Sequence, residues 1–149
     1  MSTSTKSETP TARLVLDEII GYHLRRAQLR YFAGFAAAME GLPLTPMLFG
    51  TMLIIDERPG INQSDIATAL GADRSTLVRL IDQLEGLGLL VRRPDPEDRR
   101  SSVPTLTEEG RRVLAEAARR VRTSEDELAR SLSAQERATL LDLLRRLTR

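Results

Sequence analysis

From Ala12 onward, apolar residues recur at three- and four-residue steps. Leu16, Ile19, Ile20, Leu24, Ala27, Tyr31 and Phe35 share one stripe, which predicts a long first helix fading near Glu40–Gly41. Thr45 followed by Pro46 reads as an N-cap with proline at the first helical position. It opens a second helix through Leu48, Met52 and Ile55 that stops at Pro59–Gly60. Asn62 opens a short helix to Leu70, broken by Gly71; Asp73 caps a fourth that runs to about Glu85 and ends at Gly86 and Gly88. The period then changes. Leu89–Arg93 reads as a short strand, residues 94–98 as a turn, and Ser102–Leu106 as a return strand that Pro104 confines to an edge. Thr107 with Glu108 and Glu109 starts a fifth helix, and Ser133-Ala134-Gln135-Glu136 is a capping box for a last one. The predicted order is α–α–α–α–β–β–α–α without internal repeats, preceded by a Ser/Thr/Pro-rich tail over residues 1–11 that reads as disordered.

Gln63 to Asp82 is the informative segment. Ala67 is small where two crossing helices touch, and Gly71, four residues later, suits a left-handed turn. With Ile66, Leu70, Ala72, Leu77 and Leu80 apolar, the spacing matches a helix-turn-helix; an ordinary helical hairpin is the competing reading. On the second of these helices Leu77, Leu80, Ile81 and Leu84 are expected inside. That leaves Arg74, Ser75, Thr76 and Arg79 outside near the N-terminus, residue types suited to phosphates and base edges but also to a solvated face. The hairpin favours the first reading. Arg92 and Arg93 lead in and Arg99 and Arg100 lie near the tip, making a basic wing behind a helix-turn-helix. Asp98 is placed to hold a neighbouring arginine by a charged hydrogen bond.

Composition removes most alternatives. With no Cys and only His23, thiol chemistry, disulfides and Cys- or multi-His-ligated metals are excluded within one chain. No Gly-rich phosphate loop and no suitably spaced acid pair point to catalysis, so no catalytic residue, metal or cofactor is assigned. Twenty-two basic and 21 acidic residues give a net charge of +1, and only Lys6 among the basic residues is lysine. Arginine favours forked contacts to phosphate and guanine, though GC-rich codon usage gives the same bias. No apolar run reaches the roughly 20 residues of a membrane span and no secretory signal is visible, so a cytoplasmic protein with no membrane partner is expected.

Asp95-Pro96-Glu97-Asp98-Arg99-Arg100, followed by Leu106-Thr107-Glu108-Glu109-Gly110, resembles the wing and following helix start of the MarR family of bacterial transcriptional regulators. The helix Gln63–Leu70, Asp73-Arg74-Ser75-Thr76 and Leu84-Glu85-Gly86-Leu87-Gly88 are similar to its helix-turn-helix. The resemblance covers nearly the whole chain from Ala12. It implies a mainly α fold with a small β-hairpin wing: a winged helix-turn-helix lobe over 43–107 and dimerisation helices over 12–40 and 108–149. It further implies a homodimer, a palindromic double-stranded DNA operator, and repression relieved by a small-molecule effector. Asp98 and Arg100 would fill the family's Asp-x-Arg wing motif. Pro104 departs from the pattern and is expected to shorten the hairpin.

The expected DNA-binding set is therefore Gln63, Arg74, Ser75, Thr76, Arg79, Asp98, Arg99 and Arg100. The last helix carries five leucines between 140 and 147, which need either a partner helix or packing within the chain. Leu14, Leu16, Leu140, Leu143, Leu144 and Leu147 are the expected dimer contacts. All five aromatics lie between Tyr22 and Phe49. They are either core or, with His23, Arg26 and Arg30 placed to receive a carboxylate, a pocket; the resemblance implies a cleft for small, often aromatic, acidic ligands, and residues 21–28 resemble a branch responsive to aromatic acids or their coenzyme A thioesters. Tyr22, His23, Arg26, Arg30 and Phe49 are the expected ligand set. A winged helix used for DNA architecture or protein contact, without an effector, is the alternative function.

Overall fold

The structure, a computed structural model, describes residues 13–149. A 3-10 turn at Leu16–Glu18 leads into α1 (Ile20–Ala38), then α2 (Pro46–Glu57), α3 (Gln63–Leu70) and α4 (Arg74–Gly86). The antiparallel hairpin of β1 (Leu90–Pro94) and β2 (Ser102–Leu106) follows, then α5 (Glu108–Leu128) and α6 (Ala134–Leu147). The expected tail over 1–11 lies outside the described residues. The element order is the one the periodicity predicts, but the first helix begins at Ile20 rather than Ala12. Leu14, Val15 and Leu16 are exposed, so no packing rewards an extra turn, and β-branched Val15 and Ile19 hold extended backbone.

The caps fall where the sequence puts them. Side chains of Thr45, Asn62, Asp73, Thr107 and Ser133 each accept from a backbone amide in the first turn that follows, and Glu136 returns the bond to the Ser133 amide. Each satisfies a donor that helix geometry leaves without a partner. At the end of α3, Gly71 has φ 64°, Ala72 N–H donates to Ala67 O and Gly71 N–H to Thr68 O. This left-handed closure sets the turn between α3 and α4.

Helix α2, apolar on most sides, lies at the centre of the core. Leu48 and Met52 are fully buried with Ile66 of α3, Leu77, Ile81 and Leu84 of α4, Leu90 of β1 and Ala117 of α5. Each fully buried aliphatic side chain contributes roughly 1.5–3 kcal/mol relative to exposure. Phe49 belongs to this core, its ring centroid 5.8 Å from that of Phe35.

The hairpin starts one residue later than expected because Leu89 closes α4. Its N–H donates to Leu84 O, with Gly88 at φ 73°. Pro104 does not shorten the hairpin. It pairs with Arg92 in a register where Leu89–Thr107 and Asp95–Ser101 are hydrogen-bonded pairs. Alternation along the ladder makes Arg92–Pro104 a non-hydrogen-bonded pair, so the missing N–H would have pointed away from β1. The hairpin is fastened to α5 at its base: Thr107 N–H donates to Leu89 O and Thr107 Oγ1 to Gly88 O. Gly110 packs so closely there that a Cβ would stand 2.0 Å from Leu89 O. Gly110→Ala must therefore displace backbone, and a loss of about 1–3 kcal/mol or more is expected. Urea melts at fixed protein concentration check this; a change within experimental error contradicts it.

Candidate nucleic-acid interface

Burial of Ile66 and Ala67 on α3 and of Leu77, Leu80, Ile81 and Leu84 on α4 decides which faces remain outside. On α4 these are Arg74, Ser75 and Arg79, fully exposed, and Thr76, half-buried. Asp73 does not face outward as a free charge. Its carboxylate accepts from the Thr76 amide at 2.6 Å and the Ser75 hydroxyl at 2.8 Å, and these bonds hold its pKa below the usual carboxylate range. Arg79 Nη2 donates to Thr76 Oγ1 at 3.4 Å. Gln63, the first residue of α3, lines a groove of about 600 Å3 with Ser64, Arg74, Asp95, Arg100 and Ser101. The structure thus brings Gln63, Arg74 and Arg100 to one groove between the α3–α4 unit and the hairpin; Thr76, Arg79 and Arg99 lie outside its lining.

The acidic residues of the hairpin shape its tip instead of holding its arginines. Asp98 makes no ion pair with a neighbouring arginine, contrary to expectation. Its Oδ1 accepts from the Arg100 amide at 3.0 Å and its carbonyl from the Ser101 amide at 3.0 Å. The Asp95 carboxylate accepts from the Glu97 amide and the Ser101 hydroxyl, which keep its pKa below the usual range. Short carboxylates that close turns on their own backbone are the rule where the chain must reverse. The result is that Arg99 and Arg100 have no carboxylate within 4.0 Å among the described residues. Arg92 behaves differently: it forks onto Asp82 at 2.5 Å and onto Glu85, both on α4.

The MarR family model matches residues 44–102, which run from just before α2 into the start of β2. Over 133 residues the chain is 40% identical to a putative transcriptional regulatory protein for the hcr operon of Thauera aromatica, covering 87% of this chain and 79% of that one. The chain belongs to the MarR family. Among solved structures, the transcriptional repressor CouR bound to a 23-mer DNA duplex is 43% identical with a TM-score of 0.84, over 93% of this chain and 100% of that one. CouR bound to p-coumaroyl-CoA is 42% identical with a TM-score of 0.81, over 90% of this chain and 94% of that one. The MarR-family winged helix-turn-helix is the fold of this chain, and the protein is a DNA-binding transcriptional regulator.

In this MarR-family chain a second cavity, of about 860 Å3, lies between α1 and α5. Small residues Ala33, Gly34, Ala37 and Ala38 leave room along α1, and Arg30, Tyr31, Arg119, Arg120, Thr123 and Ser124 line the walls. Of the expected ligand set, only Arg30 is here. Tyr22 and Arg26 pair with each other on the outer face, the guanidinium 5.7 Å from the ring centre. His23 Nε2–H donates to Asp17 O at 2.6 Å, fastening the 3-10 turn, and Phe49 is core. Tyr31 has its phenol pKa raised, chiefly by burial and then by Glu125, so it remains a neutral donor. Tyr31, one of the aromatic cluster but outside the expected ligand set, lines the cleft, and Arg119 and Arg120 are not singled out by the sequence at all. The small-residue pairs 33–34 and 37–38, one turn apart on α1, were the available signal.

Arg120 ties this cleft to the end of α1. Its Nη1 donates to Ala38 O at 3.2 Å and Glu40 O at 2.8 Å, and its Nε to Glu116 Oε1 at 2.7 Å. A cation at terminal helix carbonyls is favoured by both hydrogen bonding and the helix dipole. Glu116 also accepts from Arg119, and the hydrogen bonds from Arg119 and Arg120 lower its pKa to about 2.

The apolar surplus sits at the two ends of the chain. Leu14 and Leu16 are exposed, as are Leu140, Leu143 and Leu147; Leu144 is half-buried, and α6 buries none of its residues. Helix α1 also carries Ile20, Leu24, Leu29 and Phe32 as exposed apolar side chains. No helix among the described residues is long and apolar enough to cross a membrane.

Because the folded-state pKa of Glu116 is depressed, its contribution to stability is present above the ordinary value of 4.5 and lost as pH falls through about 2. Glu116→Gln should therefore lower the melting temperature at neutral pH, with the gap to the parent closing as pH falls across that window. Thermal melts over a pH series measure it; a gap independent of pH would remove the charged role.

Proposed function

We propose that this MarR-family regulator is a homodimeric repressor of a palindromic operator, released by an aryl carboxylic acid or aryl-CoA thioester bound between α1 and α5. The observation that carries the reading is the open, arginine-bearing α1–α5 cleft, in a chain 42% identical to a repressor solved with p-coumaroyl-CoA. Arg30, Arg119 and Arg120 offer cationic hydrogen-bond donors to carboxylate or phosphate, and Tyr31 an aromatic wall. Residues 43–107 form the DNA-binding lobe, and the helices of 12–40 and 108–149 pair across the dimer through Leu14, Leu16, Leu140, Leu143, Leu144 and Leu147. Apolar side chains left exposed on α6 and on α1 support that pairing.

On DNA, α4 enters the major groove with Arg74, Ser75, Thr76 and Arg79 toward bases and phosphates, Gln63 supports from α3, and Arg99 and Arg100 follow the backbone or minor groove from the wing. Asp98 serves by shaping the turn that presents Arg100. The effector acts by population shift: it binds best where the recognition helices are wrongly separated for successive major grooves. DNA and effector then weaken each other by one common factor.

The operator is first enriched from a random-sequence pool. Arg79→Ala is expected to cost about 1–3 kcal/mol on that duplex and to relax base preference, while Arg100→Ala weakens operator and scrambled duplex alike and flattens the salt dependence. Equal loss on both duplexes for Arg79→Ala would take it out of base readout. Calorimetry with p-coumaric acid and p-coumaroyl-CoA, with and without operator, tests the effector. One of them should bind more weakly in the presence of operator, and Arg120→Ala should reduce its affinity while Arg26→Ala, outside the cleft, does not. Equal affinity with and without DNA, or no binding of either compound, contradicts the effector reading.

A further inference from the structure

Arg92 is one of four arginines between residues 92 and 100, and by composition it counts toward a basic wing. Its surroundings give it another task. In a strand alternate side chains share a face, so Arg92 lies on the side of Leu90, which is buried in the core, while Arg93 is exposed on the opposite side. Across the ladder it stands directly opposite the fully buried Pro104. With 28% of its side chain exposed, Arg92 reaches Asp82 at 2.5 Å and Glu85 with separate guanidinium nitrogens. Those two carboxylates are three residues apart, on one face of α4, and the planar fork of arginine spans both. Arg74, Arg79, Arg99 and Arg100, by contrast, have no carboxylate partner among the described residues.

We propose that Arg92 is a positioning residue for DNA binding: it locks the wing onto the recognition helix and makes no contact with the nucleic acid. The reading rests on α4 and the wing being the DNA-binding elements, and it assigns Arg92 a role distinct from that of every other arginine on them. The geometry sets the offset between α4 and the wing before DNA arrives, so less ordering is left for the moment of binding.

The test is a double-mutant cycle between Arg92→Ala and the pair Asp82→Asn/Glu85→Gln, read as affinity for a mixed-sequence duplex about three helical turns long. Such a duplex needs no knowledge of the operator. Arg92→Ala should weaken binding roughly five- to twentyfold in the parent and less than about twofold where both carboxylates are already neutral. The slope of log affinity against log salt should stay at the parental value for Arg92→Ala, whereas Arg100→Ala makes it shallower by about 1. In the free protein, amide exchange should quicken for the hairpin ladder but not for the middle of α5. Arg92→Lys supplies a second cycle if the alanine variant is poorly folded, since one ammonium cannot fork across both carboxylates.

Equal loss in both backgrounds, or a shallower salt slope, would make Arg92 a phosphate contact and overturn the proposal. No loss in either background would show the strut to be idle and overturn it equally. If no variant binds the duplex and the parent does not either, the DNA-binding reading itself fails. Faster hairpin exchange in Arg92→Ala would still establish the strut, and unchanged exchange would remove that too.

Discussion

The contact on which this molecule turns is the approach of Gly110 to the carbonyl of Leu89. The Leu89 N–H closes α4 on Leu84 O, while its carbonyl accepts the amide of Thr107 and lies where any side chain at 110 would stand. Arg111 adds a bond from its guanidinium to Leu106 O. Three elements thereby share one junction a few residues across: α4 arrives at Leu89, the hairpin departs and returns there, and α5 begins. Close packing makes such a junction bistable at most, not continuously deformable. A displacement of α5 at this point would bear directly on α4 and the hairpin.

Charge is distributed along the same division. On α5 and α6, exposed arginines pair with carboxylates one turn away or on the neighbouring helix, as in Arg112–Glu109, Arg146–Asp142 and Arg137–Asp126. Exposed pairs of this kind contribute little to stability; they cancel charge along the helices. At the start of α4 and at the wing tip Asp73, Asp95 and Asp98 cap helix and turns instead, and Asp82 and Glu85 are taken by Arg92, leaving Arg74, Arg79, Arg99 and Arg100 available. A net charge of +1 is therefore compatible with a DNA-binding surface, because the neutralising partners lie elsewhere or face their own backbone.

What the sequence reveals is whatever local chemistry alone decides. Thr45-Pro46, Asn62, Asp73, Thr107 and the Ser133–Glu136 box mark helix starts, because a cap is a bond between neighbours in the chain. Gly71 and Gly88 mark ends, because only a positive φ closes those turns. The features that escape are decided by neighbours distant in sequence. The first helix begins late because Leu14 to Leu16 have nothing among the described residues to pack on. Arg92 looks like wing charge until β1 is laid beside α4. Tyr22, His23, Arg26 and Phe49 are close in sequence to Arg30, yet helical geometry sends them outward, into the 3-10 turn and into the core. The cleft is instead completed by Arg119 and Arg120, some 80 residues away from the α1 carbonyls that Arg120 holds.

The two sites are joined by one rigid element. Helix α5 starts at the Leu89 junction and, ten residues beyond Gly110, presents Arg120 to the end of α1; at the rise of an α-helix that is about 15 Å. Over that distance its buried face, Val113, Leu114 and Ala117, is packed into the same core as α2 and α4. Gly34 of α1 keeps the helices close beside the cleft: a Cβ there would come within 2.9 Å of Ser124 Oγ. A molecule that parts α1 from α5 must displace Arg120 from the α1 carbonyls or tilt α5 against its anchor at Gly110. In the first case the linker into α2 is released; in the second the base of the wing is moved. Under the proposed effector mechanism, either response would reach α4 through the core that α2, α4 and α5 share. In the effector mechanism proposed above, α5 is the element that would carry a change at its middle to its anchor at Gly110.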